Sequence, residues 1–191
     1  MNRLCVFCGS GFGAQPEYRQ ATRQLGQVLI EQELGLVYGG GNIGLMGELA
    51  KTVFEAGGEV IGVIPAALAD LEVAYTQLSD LRVVGSMHER KALMAELADG
   101  FVALPGGLGT LDELFEILTW AQLGMHTKPC GLLNICHYYD KLLDFVEHAV
   151  AERFVKPAHG TMLQVDEDPA GLLQKLAVYQ APKVRKLSHD D

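Results

Sequence analysis

Three glycines and a glutamate in residues 104–113 are the residues whose types and spacing could do chemistry. The run Leu-Pro-Gly-Gly-Leu-Gly-Thr-Leu-Asp-Glu follows a short apolar segment and precedes apolar residues at helical spacing. A buried strand, a glycine turn and a helix are therefore predicted. Main-chain N–H groups at such a turn can approach an anion closely, and a helix N terminus adds partial positive charge. The stretch is predicted to bind phosphate, with Glu113 in the first helical turn.

Glu113 is the part of this stretch that a plain phosphate site does not need. The residues alone leave two interpretations open. Thr110 and Glu113 have the spacing of a capping box, in which the glutamate accepts a hydrogen bond from the N–H of the cap residue. Alternatively, the carboxylate serves a reaction beside the bound phosphate.

Arg90 and Lys91 form a second candidate group. Ser86 and Glu89 just before them have capping-box spacing, so Glu89 is assigned to capping and a helix is predicted to begin there. Cations at a helix N terminus oppose the macrodipole, which favours a nearby anion as their partner; a solvated cationic face is the alternative. The arginine fork suits phosphate or ribose oxygens, and lysine acts as a point charge. His88 is expected to be structural.

Two further glycine-rich loops follow predicted strands. Residues 8–13 include Ser10, and this loop either contacts a ligand or is a solvated turn. Residues 39–44 contain a G-x-G-x-x-G pattern. A dinucleotide site would also need an acid at the end of the next strand, where Ile64 and Pro65 stand instead. A glycine floor under a mononucleotide is favoured over a tight turn without a ligand.

Alternating strands and helices predict the fold class. Strands are expected at residues 4–7, 36–38, 59–64, 81–84, 101–104, 129–133 and 161–165, with helices between them. This pattern is typical of an α/β protein with a Rossmann-like, doubly wound, mostly parallel sheet and helices on both faces. We expect a single domain over residues 1–180 and a polar tail over 181–191. All three glycine loops then lie at the carboxyl ends of strands, where such sheets bind ligands.

The amino-acid composition and net charge exclude several classes of protein. The 191 residues are 49% hydrophobic and 20% charged, which is typical of a globular protein. The net charge of −9 argues against a protein that coats nucleic acid, and no apolar run reaches the ~20 residues of a membrane span. Cys5 and Cys8 fall in one predicted strand and should point to opposite faces. They are expected to be buried thiols in a reducing cytoplasm, not a metal or redox pair.

The pattern Pro-Gly-Gly-x-Gly-Thr-x-x-Glu, with Arg90-Lys91 upstream and Tyr-Gly-Gly-Gly at residues 38–41, is specific. It resembles the signature of the LOG ("Lonely Guy") family of cytokinin riboside 5'-monophosphate phosphoribohydrolases, often labelled as lysine decarboxylases. The resemblance covers nearly the whole chain. It implies a homodimeric enzyme that needs neither metal nor cofactor, and the cysteine usage indicates a cytoplasmic location. The implied reaction cleaves the N-glycosidic bond of (N6-modified) adenosine 5'-monophosphates, releasing the free base and ribose 5-phosphate.

The resemblance also implies roles for individual residues. Glu113 would stabilise the ribose cation and orient water, and Arg90 would hold the sugar and neutralise charge at the leaving base; these two are the catalytic candidates. The expected substrate-binding residues are Ser10, Gly40, Gly41, Glu72, Lys91, Gly106, Gly107, Leu108, Gly109, Thr110 and Thr119. Two of these have alternatives. Glu72 could be an exposed loop acid, and the Thr119 hydroxyl could bond its own helix.

The helix that carries Glu113 is apolar over an unusually wide face. Phe115, Trp120, Leu123 and Met125 extend it beyond what one core contact needs. We therefore expect a subunit contact there. Two rival functions have to be considered for this sequence. A non-catalytic nucleotide-binding or carrier module would share the fold and glycine loops without the acid. Lysine decarboxylation is disfavoured, because no lysine has the aromatic and acidic setting of a pyridoxal site.

Overall fold

A computed structural model describes residues 1–69, 74–78 and 80–183. Seven parallel strands form one sheet in the order β4-β3-β2-β1-β5-β6-β7. The strands are β1 (Arg3–Phe7), β2 (Gly35–Tyr38), β3 (Val60–Pro65), β4 (Asp80–Val84), β5 (Gly100–Ala103), β6 (Cys130–Leu133) and β7 (Leu163–Asp166). The predicted α/β class and parallel sheet are confirmed. The chain direction across the sheet reverses between β1 and β5, and this switch point is where ligands of such sheets bind.

Helices connect the strands and cover both faces of the sheet. They are α1 (Pro16–Glu31), α2 (Gly44–Glu55), α3 (Ala66–Ala69), α4 (Met87–Leu97), α5 (Leu108–Gln122), α6 (Asp140–Ala151), α7 (Pro157–Gly160) and α8 (Pro169–Ala177), with a 3-10 turn at Ile135–His137. Helices α1, α2 and α8 pack on one face, while α4 and α5 pack on the other. Within the described ranges, no helix is long and apolar enough to span a membrane.

The strands divide their side chains between two cores, as period-2 alternation requires. Cys5 and Phe7 pack with α4 and α5, whereas Val6 and Cys8 pack with α1 and α2. Cys5 and Cys8 therefore point to opposite faces, as predicted, and both are buried free thiols. Cys130 is also buried, whereas Cys136 is exposed.

Element boundaries differ from the predictions by a few residues. Between β3 and β4 the chain forms the one-turn helix α3 directly after β3. The C-terminal strand begins two residues later than predicted and is preceded by α7. Glu72 and the greater part of the predicted tail, residues 184–191, lie outside the described residues.

Candidate functional site

The helix that carries Glu113 begins earlier than predicted. Gly107 takes the N-cap position with extended backbone angles (φ −95°, ψ −156°), and Leu108 is the first helical residue. Thr110 is therefore inside the first turn and cannot act as the cap residue. Glu113 is one turn further along and is not in the first turn, so the capping-box interpretation of Glu113 is wrong. The carboxylate is left to another role.

The N terminus of α5 provides the anion-binding geometry expected of the glycine turn. Within the described residues, no side chain caps this terminus. The N–H groups of the first helical turn have no intrahelical acceptor, and the helix dipole adds partial positive charge there. Thr110 is buried, and a Cβ on Gly106 would overlap its hydroxyl oxygen. Glycine at 106 thus lets the preceding turn lie directly against Thr110.

A cavity of about 290 Å³ opens above this helix terminus. Arg90 from α4 and Glu113 from α5 both line it, although each is more than nine-tenths buried (4% and 8% exposed). Ser10 lines the same cavity from the loop after β1. The remaining lining residues are Cys8, Gly9, Met46, Leu68, Met87, Gly107, Leu108, Gly109, Thr110 and Asp112. The structure thus brings a cation, a carboxylate and an open helix N terminus together at the switch point.

The Arg90 guanidinium is fixed by the main chain of two neighbouring strands. Its Nε donates to the carbonyl oxygen of Val63 over 3.1 Å, and Nη2 donates to that of Gly39 over 3.0 Å. These carbonyls stand at the carboxyl ends of β3 and β2. The guanidinium is therefore oriented before any ligand arrives, which reduces the cost of ordering it on binding.

The Lys91 side chain contacts two carboxylates of α5. Its Nζ lies 2.9 Å from Asp112 Oδ2 and 3.0 Å from Glu116 Oε2, and the side chain is 9% exposed. Burial acts to lower the Lys91 pKa, but the hydrogen bonds to Asp112 and Glu116 outweigh it and raise the pKa. Lys91 is not among the residues that line the cavity. Its geometry favours a link between helices over the predicted contact with phosphate.

The residues just before Arg90 cap α4 as predicted. Ser86 is the N-cap residue, and its Oγ accepts a hydrogen bond from the Glu89 N–H over 3.2 Å. The Glu89 carboxylate accepts one from the Gly85 N–H over 2.7 Å. His88 is exposed on the first turn and does not line the cavity. The capping interaction fixes the start of α4, the helix from which the Arg90 and Lys91 side chains point in different directions.

The first glycine loop joins the other two. The Gly9 N–H donates to the Pro105 carbonyl over 3.1 Å, and the Gly9 carbonyl accepts from the N–H of Leu45 at the start of α2 over 3.0 Å. The N terminus of α2 is therefore occupied by main chain. This contact leaves α5 as the helix whose open N terminus faces the cavity.

Gly40 and Gly41, predicted to bind substrate, are not among the residues that line the cavity. The Gly40 carbonyl accepts a hydrogen bond from the Tyr75 N–H over 3.0 Å, and Gly41 forms an isolated bridge with Ala74. Gly40 also has a φ of 78° and packs on β3. The geometry favours a tight turn for this loop over a nucleotide floor.

Thr119 is likewise separate from the cavity. Its Oγ1 donates to the Phe115 carbonyl one turn earlier over 2.7 Å, which is the alternative of a helix hydroxyl bonding its own backbone. It lines an apolar groove between α5 and α6. Glu72 lies outside the described residues, so its predicted contact stays a prediction.

Two tyrosines that sequence reasoning did not assign hold the glycine turn in place. The Tyr138 hydroxyl donates to the Gly106 carbonyl over 2.6 Å, and the Tyr139 hydroxyl donates to the Leu104 carbonyl over 2.7 Å. Burial raises the Tyr139 pKa well above its ordinary value, so this hydroxyl stays protonated and remains a donor. Both carbonyls face the tyrosines, which helps to fix the turn that leads into α5. The only sequence signal is that the pair follows the predicted sixth strand at the same sheet edge.

Solved structures share this fold over nearly the full chain. A molybdenum cofactor carrier protein from Chlamydomonas reinhardtii superposes with a TM-score of 0.71 at 22% identity, covering 93% of this chain and 99% of that one. The molybdenum cofactor binding protein of Rippkaea orientalis gives a TM-score of 0.69 at 24% identity, covering 92% and 95%. At these identities the likeness concerns the fold alone.

Sequence relatives are much closer. A probable cytokinin riboside 5'-monophosphate phosphoribohydrolase of Oryza sativa subsp. japonica is 52% identical over 93% of this chain and 78% of its own length. A cytokinin riboside 5'-monophosphate phosphoribohydrolase of Arabidopsis thaliana is 47% identical over 93% and 82%. Residues 46–176 match the family model described as "Possible lysine decarboxylase". The chain therefore belongs to the LOG family, whose curated members are named cytokinin riboside 5'-monophosphate phosphoribohydrolases.

Proposed function

We propose that the protein hydrolyses the N-glycosidic bond of adenosine 5'-monophosphates, including N6-modified ones, to the free base and ribose 5-phosphate. One observation carries the proposal. Arg90 and Glu113 line the same cavity as the open N terminus of α5, so one bound nucleotide can contact all three. The relatives' names supply the substrate class.

The 5'-phosphate is assigned to the first turn of α5. The N–H groups of Leu108, Gly109 and Thr110, with the Thr110 hydroxyl, offer donors at the positive end of the helix dipole. Gly106 and Gly107 lead the chain into this turn without side chains that would fill it. Ser10, on the facing loop, supplies a further hydroxyl.

Glu113 is assigned to the anomeric carbon. When the bond between C1' and the base nitrogen breaks, the electron pair of that bond leaves with the base. The ribose that remains resembles an oxocarbenium ion. A buried carboxylate stabilises that cation and orients the water that attacks C1'. The water gives up one proton, and the departing base takes up one, so the reaction balances without any other reactant.

Arg90 is assigned to the sugar and to the charge on the leaving base. Two of its nitrogens are held by the Gly39 and Val63 carbonyls, which leaves the guanidinium in a set orientation beside the cavity. A fixed cation stabilises developing negative charge without reorganising at the moment of reaction.

The name of the family model raises lysine decarboxylation as a rival activity. A lysine that forms a Schiff base has to be neutral and accessible. Lys91, the lysine next to the cavity, is paired with Asp112 and Glu116 and has a raised pKa. This pairing disfavours it as a Schiff-base lysine.

The test is release of free base from AMP and from N6-isopentenyladenosine monophosphate by the purified protein. Glu113→Gln and Arg90→Ala should each lose at least about 100-fold in kcat while remaining folded. Glu89→Gln is the matched control, since it neutralises an acid beside Arg90 but keeps an oxygen acceptor for Gly85, and it should retain its rate. Tight AMP binding with no base release would instead indicate a nucleotide-binding module.

We further propose a homodimer in the cytoplasm. The α5–α6 groove is largely apolar, and Phe145 and Phe154, the sequence neighbours of its lining residues Val146 and Val155, are 63% and 87% exposed. Exposed apolar surface of this kind is typical of subunit contacts. Phe145→Asp should turn a dimer into a monomer in light scattering, and a monomeric wild type would refute the dimer. Buried thiols at Cys5 and Cys8 suit a reducing compartment.

A further inference from the structure

Lys91 makes two charged contacts that cross from α4 to α5. Its ammonium lies 2.9 Å from the Asp112 carboxylate and 3.0 Å from that of Glu116, and the side chain is buried. We infer that Lys91 is a positioning residue that neutralises Asp112 and Glu116 and so keeps Glu113 charged and opposite Arg90. This inference rests on the proposed function of Glu113.

The order of the residues along the two helices supports this role. Arg90 and Lys91 are neighbours on α4, and Asp112 and Glu113 are neighbours on α5. Arg90, Asp112 and Glu113 line the cavity at which catalysis is proposed, and the Lys91–Asp112 ion pair joins the two helices at its edge. A shift of α4 against α5 would therefore break the ion pair and change the Arg90–Glu113 separation together.

The charges around Glu113 give Lys91 a second effect. Helix α5, which carries Glu113, also carries the carboxylates of Asp112 and Glu116. Helix α4 contributes the cations of Arg90 and Lys91. Strand β1 and the residue that follows it contribute the thiols of Cys5 and Cys8. Burial is the main cause that raises the pKa of both thiols, and the Glu113 charge adds to it, so they stay neutral.

Removing the Lys91 charge would leave the two neighbouring carboxylates uncompensated. Like charges close to a carboxylate disfavour its ionised form. Glu113 would then be protonated at a higher pH than in the wild type, and a protonated acid cannot stabilise the ribose cation. A residue that simply held the helices together would not move this titration.

A direct phosphate ligand and a positioning residue give different kinetics. Loss of a phosphate contact raises KM and the dissociation constant of AMP, whereas loss of positioning lowers kcat with little change in binding. Lys91→Met should lower kcat by at least about 10-fold and move the acidic limb of kcat/KM up by about one pH unit. In a Glu113→Gln background, in which turnover is expected to be at least about 100-fold slower, Lys91→Met should change the AMP dissociation constant by less than about 3-fold.

Two variants keep the test sharp. Lys91→Arg retains the charge and should recover most of the rate. Combining Lys91→Met with Asp112→Asn and Glu116→Gln removes the uncompensated acids and should return the acidic limb towards the wild-type position. An unmoved acidic limb, a more than about 10-fold weaker AMP affinity from Lys91→Met, or no recovery in the triple variant would overturn the inference.

The outcome is separable from that of the proposed function. If the wild type releases no base, the hydrolase proposal fails. The Lys91 inference is then read from the Glu113 carboxyl itself, by carbon NMR titration of the wild type and Lys91→Met without substrate. An upward shift in the variant supports the charge effect, and coincident titrations refute it.

Discussion

The guanidinium of Arg90 lies against Gly39 so closely that residue 39 cannot carry a side chain. Arg90 Nη2 donates to the Gly39 carbonyl over 3.0 Å, and a Cβ on Gly39 would overlap the same nitrogen. The first glycine of the G-x-G-x-x-G pattern is thus required by a proposed catalytic side chain, not by a dinucleotide.

Gly39→Ala should therefore act on catalysis by displacing Arg90. The added methyl group pushes the guanidinium off the strand carbonyls and away from its set orientation. Because misplacing a catalytic group by about 1 Å can cost about 100-fold, kcat/KM for AMP should fall by roughly that factor. Steady-state base release measures the loss, and thermal unfolding shows whether the fold persists.

Gly131→Ala is the matched control for Gly39→Ala. It also adds a methyl group to a buried glycine, but this one lies in β6, where the methyl group crowds the Leu172 side chain on the face away from Arg90. It should lower the unfolding temperature and leave kcat/KM close to the wild-type value. Equal activity losses in the two variants would mean that Gly39→Ala acts through general destabilisation.

The two tyrosine hydroxyls on the glycine turn predict separable effects. Tyr139 is buried, so Tyr139→Phe leaves the Leu104 carbonyl without its donor and should cost about 1–3 kcal/mol of stability. Tyr138 is 44% exposed, and water can replace its hydroxyl at Gly106. Tyr138→Phe should cost little stability and should instead weaken AMP binding by a few-fold, because the turn is less ordered.

Urea unfolding and calorimetric AMP titration of the two phenylalanine variants test this ranking. Each variant is the control for the other, since both remove one hydroxyl from the same turn. The reverse ranking, with Tyr138→Phe the less stable protein, would show that exposure does not decide the cost.

The parts of the site that the sequence predicts correctly are those set by local pattern and sheet topology. Alternating strands and helices place every glycine loop at one sheet edge, so residues as distant as Arg90 and Glu113 can be expected to meet there. The Ser86–Glu89 cap was predictable for the same reason, because a capping box is complete within four residues.

The parts that were missed depend on side-chain direction between elements. Arg90 and Lys91 look alike in sequence, yet one faces the cavity and the other faces Asp112, since adjacent helical residues diverge by about 100°. The sequence predicts the start of α5 too far along the chain, because a glycine such as Gly109 is typical of a turn. In the structure Gly109 lies inside the helix. The sequence predicts that Gly40 and Gly41 bind a ligand. Their contacts with residues 74 and 75 could not be predicted, because those residues lie in an irregular connection.

The His126 imidazole couples stability to pH at the far end of α5. Its Nε2 lies 3.0 Å from the Ile117 carbonyl, and its Nδ1 accepts from the Lys128 N–H over 3.1 Å, so the ring is held in its neutral form. Burial is the main cause that lowers the His126 pKa, and the Lys128 charge adds to it, against the opposing hydrogen bond to Ile117. His126 therefore binds a proton less readily in the folded protein than in the unfolded chain.

This difference fixes the direction of the pH effect. Above the ordinary histidine pKa of about 6.5 the ring is neutral in both states, and its contribution to stability is complete. As the pH falls below about 6.5, the unfolded state binds more protons and the free energy of unfolding decreases, until the lowered pKa is reached. His126→Gln should reduce this acid-side loss in urea unfolding measured from pH 7.5 to 5, whereas His88→Gln, on an exposed surface, should leave it in place. Parallel pH profiles for the wild type and His126→Gln would show that another group carries the dependence.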